Sequence, residues 1–311
     1  MRIQFRHVLL LTLIVNFLCS TVAAAVERVA GTHVSLNPPP NFEKADKFPG
    51  FMREEYGASI MVMELPGPFD EYRAGIEDKD HLSTRGMRLL QKEAVRVDNR
   101  DGLLVHLSQV LHSLEFRKWV LLIGERDRNV MVMANYPAEL EEEFSMILRE
   151  SVLSTLWDPD QQVSKEEGLN FTLTESGSMR LAERMGNMLM YSKDAQVQPR
   201  SVDDPILIAG SALTDWPIGD RKEFSRKRLQ LTATVTAIEI ETLDEVRVDG
   251  LEAVEILAKA KDTDSGKEIR LYQMMVFKGQ TYYLIQGMVS LRREDEFMAD
   301  FQAMARSFKC K

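Results

Sequence analysis

Two long stretches of the chain repeat one order of apolar and polar positions. They begin with "VRVDNRDGLLVHL" at residues 95–107 and with "VRVDGLEAVEI" at residues 246–256. In each stretch, a segment of alternating apolar and polar residues contains a Gly-Leu pair, and two further apolar strands follow, each after a turn. Because a period of two is typical of β-strands, each stretch predicts strands joined by hairpins. The shared order predicts one domain that occurs twice, in tandem.

Each stretch closes with a predicted amphipathic helix. The segments "ELEEEF" and "EDEF" place acidic residues in the first turn, where they favour the helix dipole. Apolar residues then follow helical spacing in both, namely Phe144, Ile147, Leu148, Val152 and Leu156 in the first and Phe297, Phe301, Met304, Ala305 and Phe308 in the second.

The segments upstream of the two stretches also share an order. "SIMVMELPGPFDEYRAGI" and "PILIAGSALTDWPIGDRKEF" each predict a buried strand that leads into a polar helix. In the first half we expect the helix to continue through "HLSTRGMRLLQKE". In the second half "DRKEFSRKRLQL" is the expected helix, and "TATVTAIEIETLDEVRVD", rich in β-branched residues, is the expected strand.

Each half therefore predicts an antiparallel sheet packed with helices before and after its hairpins. This is an α+β architecture of two tandem domains, each an α/β/α-type sandwich with N- and C-terminal helices. The polar stretch from Asp158 to Gly168 breaks both periods and predicts a linker. The expected boundaries are a signal peptide at 1–25, a first domain at 26–157, a linker at 158–167 and a second domain at 168–311.

On these features the chain resembles the PsbP/Mog-type α/β domain, a family that includes PsbP of photosystem II and periplasmic DcrB-type proteins. The resemblance rests on the Val-Asp/Gly-Leu strand, the three-strand meander, "VFKGQTYYLIQG" and the final helix ending "ARSFK". It covers most of residues 168–310 and, less closely, residues 30–157. Members are mostly non-enzymatic partners or assembly factors, so the resemblance implies a binding role and identifies no ligand.

The first residues have the layout of a secretory signal peptide. A positive region, an apolar run and a small-residue cleavage site follow in order, at Arg2 and Arg6, at residues 8–18 and at Ala23-Ala24-Ala25. The run is shorter than the ~20 residues that cross a bilayer. We expect cleavage near Ala25 and a periplasmic or secreted protein without a membrane span. A retained anchor is the alternative.

Cleavage would remove Cys19 and leave Cys310 as the remaining cysteine. An intramolecular disulfide and a zinc site with paired cysteines are then excluded. The bulky Phe17 and Leu18 argue against lipidation of Cys19, because lipoprotein signals place small residues there. Cys310 either pairs between chains or is an idle thiol.

The charge of the chain limits its partners. Loss of Arg2 and Arg6 reduces 39 basic residues to 37 against 48 acidic ones, so the net charge changes from −9 to −11. Phosphate backbones and anionic lipid surfaces would repel such a chain. We therefore expect no nucleic acid partner.

The histidines do not form a metal site in the sequence. His106 and His112 share one face of a predicted strand, but six residues separate them by roughly 20 Å. Two ligands of one metal lie much closer than that, so we expect solvent-facing side chains. His33 and His81 have no neighbouring Asp, Glu or Cys group that stands out.

Two further segments allow a metal hypothesis. "KDTDSGKE" carries Asp262, Asp264 and Glu268 but lacks the full ligand spacing of a calcium loop, and a hairpin turn explains it. Methionines in the strands suit copper, whereas core filling suits their alternation with valine. They are Met61, Met63, Met131, Met133, Met274 and Met275.

Signatures of common enzymes are absent from the sequence. "SGKE" is not a Walker loop, and "AGSALTDW" lacks the second Gly of a nucleophile elbow. No histidine follows His112. Basic residues of "DRKEFSRKRL", chiefly Lys222 and Arg226, predict a stripe on one helix face. It meets either solvent and acidic neighbours, or an acidic partner or a lipid headgroup.

We assign no catalytic, cofactor-binding or metal-binding residue, and no cofactor, from the sequence. The favoured hypothesis is an exported, non-catalytic binding or envelope-assembly protein with a protein or small-molecule partner in the cell envelope. The alternatives are a carboxylate-based hydrolase with its site in the interdomain cleft, and a metal-carrying periplasmic protein. Domain interfaces favour ligand sites, so the cleft between the halves is the first place to look.

Overall fold

The structure is a computed structural model that describes residues 25–111, 113–125, 127–197, 199–213, 215 and 217–311. The predicted signal peptide, apart from Ala25, lies outside these residues, as does Cys19. No helix within the described ranges is long and apolar enough to cross a membrane.

The first half contains one large antiparallel sheet and one small one. In chain order its strands are β1 (Glu27–Arg28), β2 (Val34–Leu36), β3 (Glu43–Lys44), β4 (Gly50–Arg53), β5 (Ala58–Pro66), β6 (Met87–Val97), β7 (Arg100–Leu111), β8 (Leu114–Gly124), β9 (Arg128–Pro137) and β10 (Leu156–Trp157). The large sheet has the spatial order β3-β4-β5-β9-β8-β7-β6, and the small one has the order β1-β2-β10. Helices α1 (Phe69–Glu77) and α2 (Lys79–Thr84) precede β6, and α3 (Glu141–Leu153) follows β9.

The second half repeats this arrangement. Its strands are β11 (Phe171–Thr172), β12 (Met179–Met185), β13 (Met188–Lys193), β14 (Ile206–Ser211), β15 (Val235–Val248), β16 (Leu251–Asp262), β17 (Glu268–Lys278), β18 (Thr281–Ser290) and β19 (Lys309–Cys310). The large sheet has the order β12-β13-β14-β18-β17-β16-β15, and β19 pairs with β11. Helix α4 (Arg221–Gln230) precedes β15, and α5 (Glu294–Arg306) follows β18. Strand for strand, this is the order of the first large sheet.

Helices cover both faces of each sheet. On one face of the first sheet, Phe144, Leu148 and Val152 of α3 pack into a core with the strands, and the corresponding core of the second sheet contains Phe297 and Phe301 of α5. Separate apolar clusters on the opposite faces contain Leu82 of α2 and Leu229 of α4. The predicted α+β class with sandwiched sheets is confirmed. The tandem duplication and the domain boundaries remain predictions.

The hairpins that open the two meanders use the same turn. Asp98 and Asn99 join β6 to β7, and Asp249 and Gly250 join β15 to β16, all with positive φ between 50° and 76°. Two consecutive positive φ values define a type I′ turn, which Asp, Asn and Gly favour. Because Gly102 lies inside β7, the position that corresponds to Gly250 is Asn99. The two Gly-Leu pairs of the sequence are therefore not equivalent.

Strand β6 replaces a predicted helix. Helix α2 ends at Thr84, Gly86 has a φ of 66°, and β6 starts at Met87. The left-handed glycine ends the helix at this point. A bulge between Leu89 and Gln91 then shifts the alternation of β6 by one residue, which hides its period of two in the sequence.

Corresponding ion pairs join each closing helix to its sheet. Arg270 on β17 lies 2.5 Å from Glu294, the first residue of α5, and 2.5 Å from Glu241 on β15. Arg117 on β8 lies 3.6 Å from Glu141, the first residue of α3. The Arg270 side chain is 7% exposed and the Arg117 side chain 21%. Burial opposes the charge of Arg270, but hydrogen bonds to Glu294 and Glu241 raise its pKa above the usual value.

We expect Arg270→Met to lower the free energy of unfolding by about 2–3 kcal/mol, because it leaves two half-buried carboxylates without their shared donor. The matched change Arg117→Met should lower the free energy of unfolding by about 1 kcal/mol or less, because the Arg117–Glu141 distance is longer and the pair is more exposed to solvent. Urea unfolding at neutral pH measures both. Equal losses in the two variants would contradict the stronger role of the Arg270 pair.

Candidate functional site

A cleft of about 410 Å³ lies between the two halves. Its walls come from the β1–β2 turn and β5 of the first half, from the connecting segment between β10 and β11, and from the β12–β13 hairpin of the second half. The ionisable side chains that line it are His33, Glu64, Asp160, Lys165, Glu183 and Arg184. Residues distant in sequence therefore share one polar cavity.

Glu64 and His33 form a hydrogen-bonded pair on the first wall. The Nδ1 atom of His33 lies 3.0 Å from each carboxylate oxygen of Glu64, and the His33 backbone N–H donates to Oε2 at 3.1 Å. The indole N–H of Trp157 on β10 donates to Oε1 at 3.1 Å. The carboxylate thus joins three chain segments, while Nε2 of His33 makes no hydrogen bond with any described residue.

Arg184 forms the opposite wall and is almost fully buried. Its Nε donates to the Gly186 carbonyl at 2.7 Å, and its Nη1 donates to the carbonyls of Lys165 at 3.1 Å and Glu167 at 2.5 Å. Burial lowers the pKa of Arg184 to about 10, against the opposing effect of Glu167 and Glu64, so the side chain stays charged at neutral pH. Nη2 makes no hydrogen bond within the described part of the chain.

An ion pair and hydrogen bonds join the connecting segment between β10 and β11 to both halves. Arg28 on β1 forms a bidentate ion pair with Glu167, and the Gly31 N–H donates to the same carboxylate at 3.3 Å. Hydrogen bonds from Arg28, outweighing burial, hold the pKa of Glu167 below its usual range. On the other side, Lys165 donates to the Ala182 carbonyl at 2.5 Å. The predicted linker is therefore a structural part of the cleft.

Lys165 and Glu183 complete the polar lining. Their side chains lie 3.5 Å apart, and a Glu183 carboxylate oxygen accepts the backbone N–H of Arg184 at 2.9 Å. The cleft thus presents a guanidinium, an ammonium and an imidazole beside carboxylates. Such a mixture suits a polar ligand that brings an acidic group to Nη2 of Arg184. Because Nδ1 of His33 donates to Glu64, the neutral ring leaves Nε2 as an acceptor for a hydrogen-bond donor of the ligand.

The sequence missed the His33–Glu64 pair because the two residues are 31 positions apart, His33 in the β1–β2 turn and Glu64 on β5. One signal was present. Glu64 interrupts the apolar run of a buried strand, "SIMVMELP", and a carboxylate at such a position needs a partner.

The sequence predicted that His106 faces solvent, and this prediction is wrong because the residue is buried. It lies under α3, where its ring stacks on Trp119 with centroids 4.1 Å apart and its Nε2 lies 3.0 Å from the Tyr136 hydroxyl. Tyr136 donates in turn to Glu141 at 3.1 Å. The error arose because alternation in a sheet covered on both faces does not define a solvent side. His112 lies outside the described residues.

The methionine strands are also less uniform than predicted. Met274 and Met275 are buried on the two faces of β17. By contrast, Met61 and Met63 on β5 are half-buried, as are the methionines of β9, because one face of these strands is only partly covered. Met131 and Met133 of β9 pack against the small cluster under α2.

The remaining candidates have local structural roles. Asp262 accepts hydrogen bonds from the N–H and hydroxyl of Ser265, as expected for a hairpin turn. On α4, Arg221 pairs with Glu252 and Lys222 with Glu245, which matches the predicted acidic neighbours. Among the residues described, no group of three or more His, Cys, Asp or Glu side chains is placed to hold a metal ion.

Cys310 is not at a frayed end. It pairs with Phe171 through β19 and is half-buried, and its Sγ lies 3.2 Å from the Lys278 ammonium and 3.3 Å from the Tyr283 hydroxyl. A disulfide between chains would require this short strand to move.

Comparisons with known proteins do not assign a family. No protein-family model and no curated protein matches the chain. Among solved structures, LpqN of Mycobacterium tuberculosis, described as involved in cell envelope biogenesis, aligns at 13% identity over 49% of this chain and 85% of its own, with a TM-score of 0.36. PsbP (CyanoP) of Synechocystis sp. PCC 6803 aligns at 10% identity over 46% and 82%, with a TM-score of 0.30. The type VI secretion immunity protein TplEi of Pseudomonas aeruginosa aligns at 11% identity over 92% and 96%, with a TM-score of 0.34. All three TM-scores are below 0.5, so these similarities define neither a family nor a function.

We expect Gly31→Ala to destabilise the contact between the halves. Gly31 has a φ of 72°, and a Cβ atom there would overlap the Arg184 guanidinium and lie 2.6 Å from the Glu167 carbonyl oxygen. Gly57→Ala is the matched control, because Gly57 has a similar φ of 63° with open space around it. The control should cost about 1 kcal/mol, and Gly31→Ala at least about 2 kcal/mol more. Urea unfolding and proteolysis of residues 158–167 measure the difference. Similar behaviour of the two variants would contradict the fit described for Arg184.

Acidification should destabilise the first half through His106. Burial lowers the pKa of His106, with Glu141 opposing and Arg117 adding to the effect. The unfolded chain then binds a proton at about pH 6.5 that the folded chain does not, so stability falls as the pH drops below that value. His106→Gln should flatten the dependence of unfolding free energy between pH 7 and pH 5, and the exposed control His81→Gln should leave it unchanged. An unchanged slope in His106→Gln would show that other groups cause the pH dependence.

Proposed function

We propose that the protein is an exported, non-catalytic binding protein that takes a polar ligand of the cell envelope, free or as part of a protein partner, into the cleft between its halves. The observation that carries the proposal is the pair of uncommitted nitrogens, Nη2 of Arg184 and Nε2 of His33, in a cavity of about 410 Å³. A buried guanidinium with a free nitrogen favours a carboxylate or phosphate group.

The existing contacts of the cleft support binding rather than catalysis. Glu64 already accepts hydrogen bonds from His33 and Trp157, and Glu183 contacts Lys165 and the Arg184 N–H. A general acid must carry a proton and reach its substrate. Carboxylates fixed by several N–H donors are poor candidates for that role.

A carboxylate-based hydrolase is the second candidate, because Glu64 and Glu183 stand on walls contributed by different halves. Two carboxylates across a cleft are the arrangement of glycoside hydrolysis. Turnover of a glycoside or ester by the purified protein that disappears in Glu64→Gln would favour this candidate over binding alone.

We expect a bulky residue at the mouth of the cleft to abolish ligand binding. Gln162 lines the cleft and is exposed, so Gln162→Trp should fill the cavity without disturbing a core. Gln230→Trp, on an exposed position of α4, is the matched control. Thermal shift with a panel of dipeptides, amino acids and dicarboxylates should raise the Tm of wild type and of the control but not that of Gln162→Trp.

The protein for this measurement should come from an envelope fraction, where a mature N-terminus near residue 26 tests export. Recovery of the full-length chain from the cytosol would contradict export. A thermal shift that survives in Gln162→Trp would place the ligand outside the cleft.

A further inference from the structure

The β7–β8 hairpin ends in an exposed apolar tip. Val110, Leu111 and Leu114 are 57%, 47% and 63% exposed. Leu111 and Leu114 are paired across the turn, so their side chains stand together at the end of two long strands. Apolar side chains gathered at one protruding point differ from the scattered exposed residues of an ordinary surface.

The fold itself does not require an apolar tip. The corresponding hairpin of the second half, β16–β17, turns through Asp262, Ser265 and Gly266, and its side chains hydrogen-bond within the turn. The same position in the same sheet order is therefore satisfied by polar residues. The apolar residues of the first tip serve something other than closing the hairpin.

Unpaired cations lie at the base of the tip. Arg85 and Arg88 are exposed, and neither forms an ion pair with a described residue. Arg85 lies in the turn between α2 and β6, which is joined to the tip because the Val110 N–H donates to the Gly86 carbonyl and the Gln109 side chain to the Arg85 carbonyl. Arg88 lies on β6 opposite Ser108 of β7. The acidic residue of the tip, Glu115, is paired with Arg117.

This combination fits a lipid surface better than a protein pocket. Leucine and valine are under-represented among the residues that dominate protein interfaces, whereas leucine enters hydrocarbon favourably. Three exposed side chains also offer far less area than a stable protein interface needs. Arginines at the base would meet phosphate headgroups while the tip enters the acyl region.

The net negative charge of the chain does not prevent such contact. Exposed charges further apart than about 8–10 Å are largely screened at physiological salt. The charges next to the membrane are then Arg85, Arg88 and the Glu115–Arg117 pair, and their sum is positive because the pair is neutral. The repulsion of anionic lipids expected from the net charge remains a prediction for the whole chain, and the vesicle experiment below tests it at this end of the first sheet.

We propose that the β7–β8 hairpin is a lipid-docking element, in which Val110, Leu111 and Leu114 enter an anionic bilayer leaflet and Arg85 and Arg88 bind its phosphate groups. The contact would place the first half at a membrane surface by the end of the sheet where β7 and β8 meet. It is peripheral and reversible, because three small side chains do not anchor a protein permanently.

The test is co-sedimentation of the mature chain with vesicles of phosphatidylcholine alone and of three parts phosphatidylcholine to one part phosphatidylglycerol. Wild type should bind the mixed vesicles, with binding that weakens as salt rises. The double variant Leu111→Gln/Leu114→Gln should lower the partition coefficient about tenfold. Its matched control is Leu213→Gln/Leu231→Gln, which removes two exposed leucines elsewhere and should bind as wild type does.

A second pair of variants tests the role of Arg85 and Arg88. Arg85→Gln/Arg88→Gln should lower binding to the mixed vesicles about tenfold or more and have little effect on phosphatidylcholine vesicles. Arg226→Gln/Lys227→Gln makes the same change in net charge on α4, where both residues pair with Glu223, and should leave binding unchanged.

Thermal unfolding shows whether the tip variants fold, as the polar turn of the second half leads us to expect. The proposal is overturned if folded wild type does not bind the mixed vesicles, or if the leucine variant binds them equally well. It is also overturned if Arg85→Gln/Arg88→Gln and Arg226→Gln/Lys227→Gln weaken binding equally, because the net charge alone would then explain the effect. A tip variant that instead abolishes self-association would show that the tip contacts protein.

Discussion

A sheet whose strands carry apolar residues on both faces must be covered on both sides, and this requirement organises the molecule. In each half the chain meets it by placing one helical segment before the four-strand meander and one after it. The closing helix contributes aromatic side chains such as Phe144 and Phe297, and an arginine of the neighbouring strand β8 or β17 pairs with its first residue. Both halves have this arrangement of helices, including the ion pair, and each half has its own apolar core.

The contact between the halves follows a different principle. The cavity is bounded by turns and by the connecting segment, and its stability depends on buried polar groups whose partners come from distant parts of the chain. Arg184 is satisfied by carbonyls of the connecting segment, and Glu64 by His33 and Trp157, which are distant from it in sequence but belong to its own half. Such sites are specific because an unpaired buried charge is costly, so few alternative arrangements are tolerated.

Patterns with a local physical cause could be predicted from the sequence. The type I′ turns at Asp98-Asn99 and Asp249-Gly250, the closing helices and the α4–β15 succession all follow from residues within a few positions of one another. Strand β6 was missed because a bulge interrupts its alternation. The environment of His106 and the His33–Glu64 pair was missed because it depends on which sheet faces are covered and on which segments meet, and neither is encoded in a short window.

The capping of Arg184 by the carbonyls of Lys165 and Glu167 has a mechanical consequence. Rotation that separated these carbonyls from the guanidinium would leave a buried cation without two of its hydrogen-bond partners. The join between the halves is thus held by directional hydrogen bonds as well as by the connecting chain. A molecule that displaced these carbonyls would have to supply its own oxygen atoms to the guanidinium, because a buried cation without partners is costly.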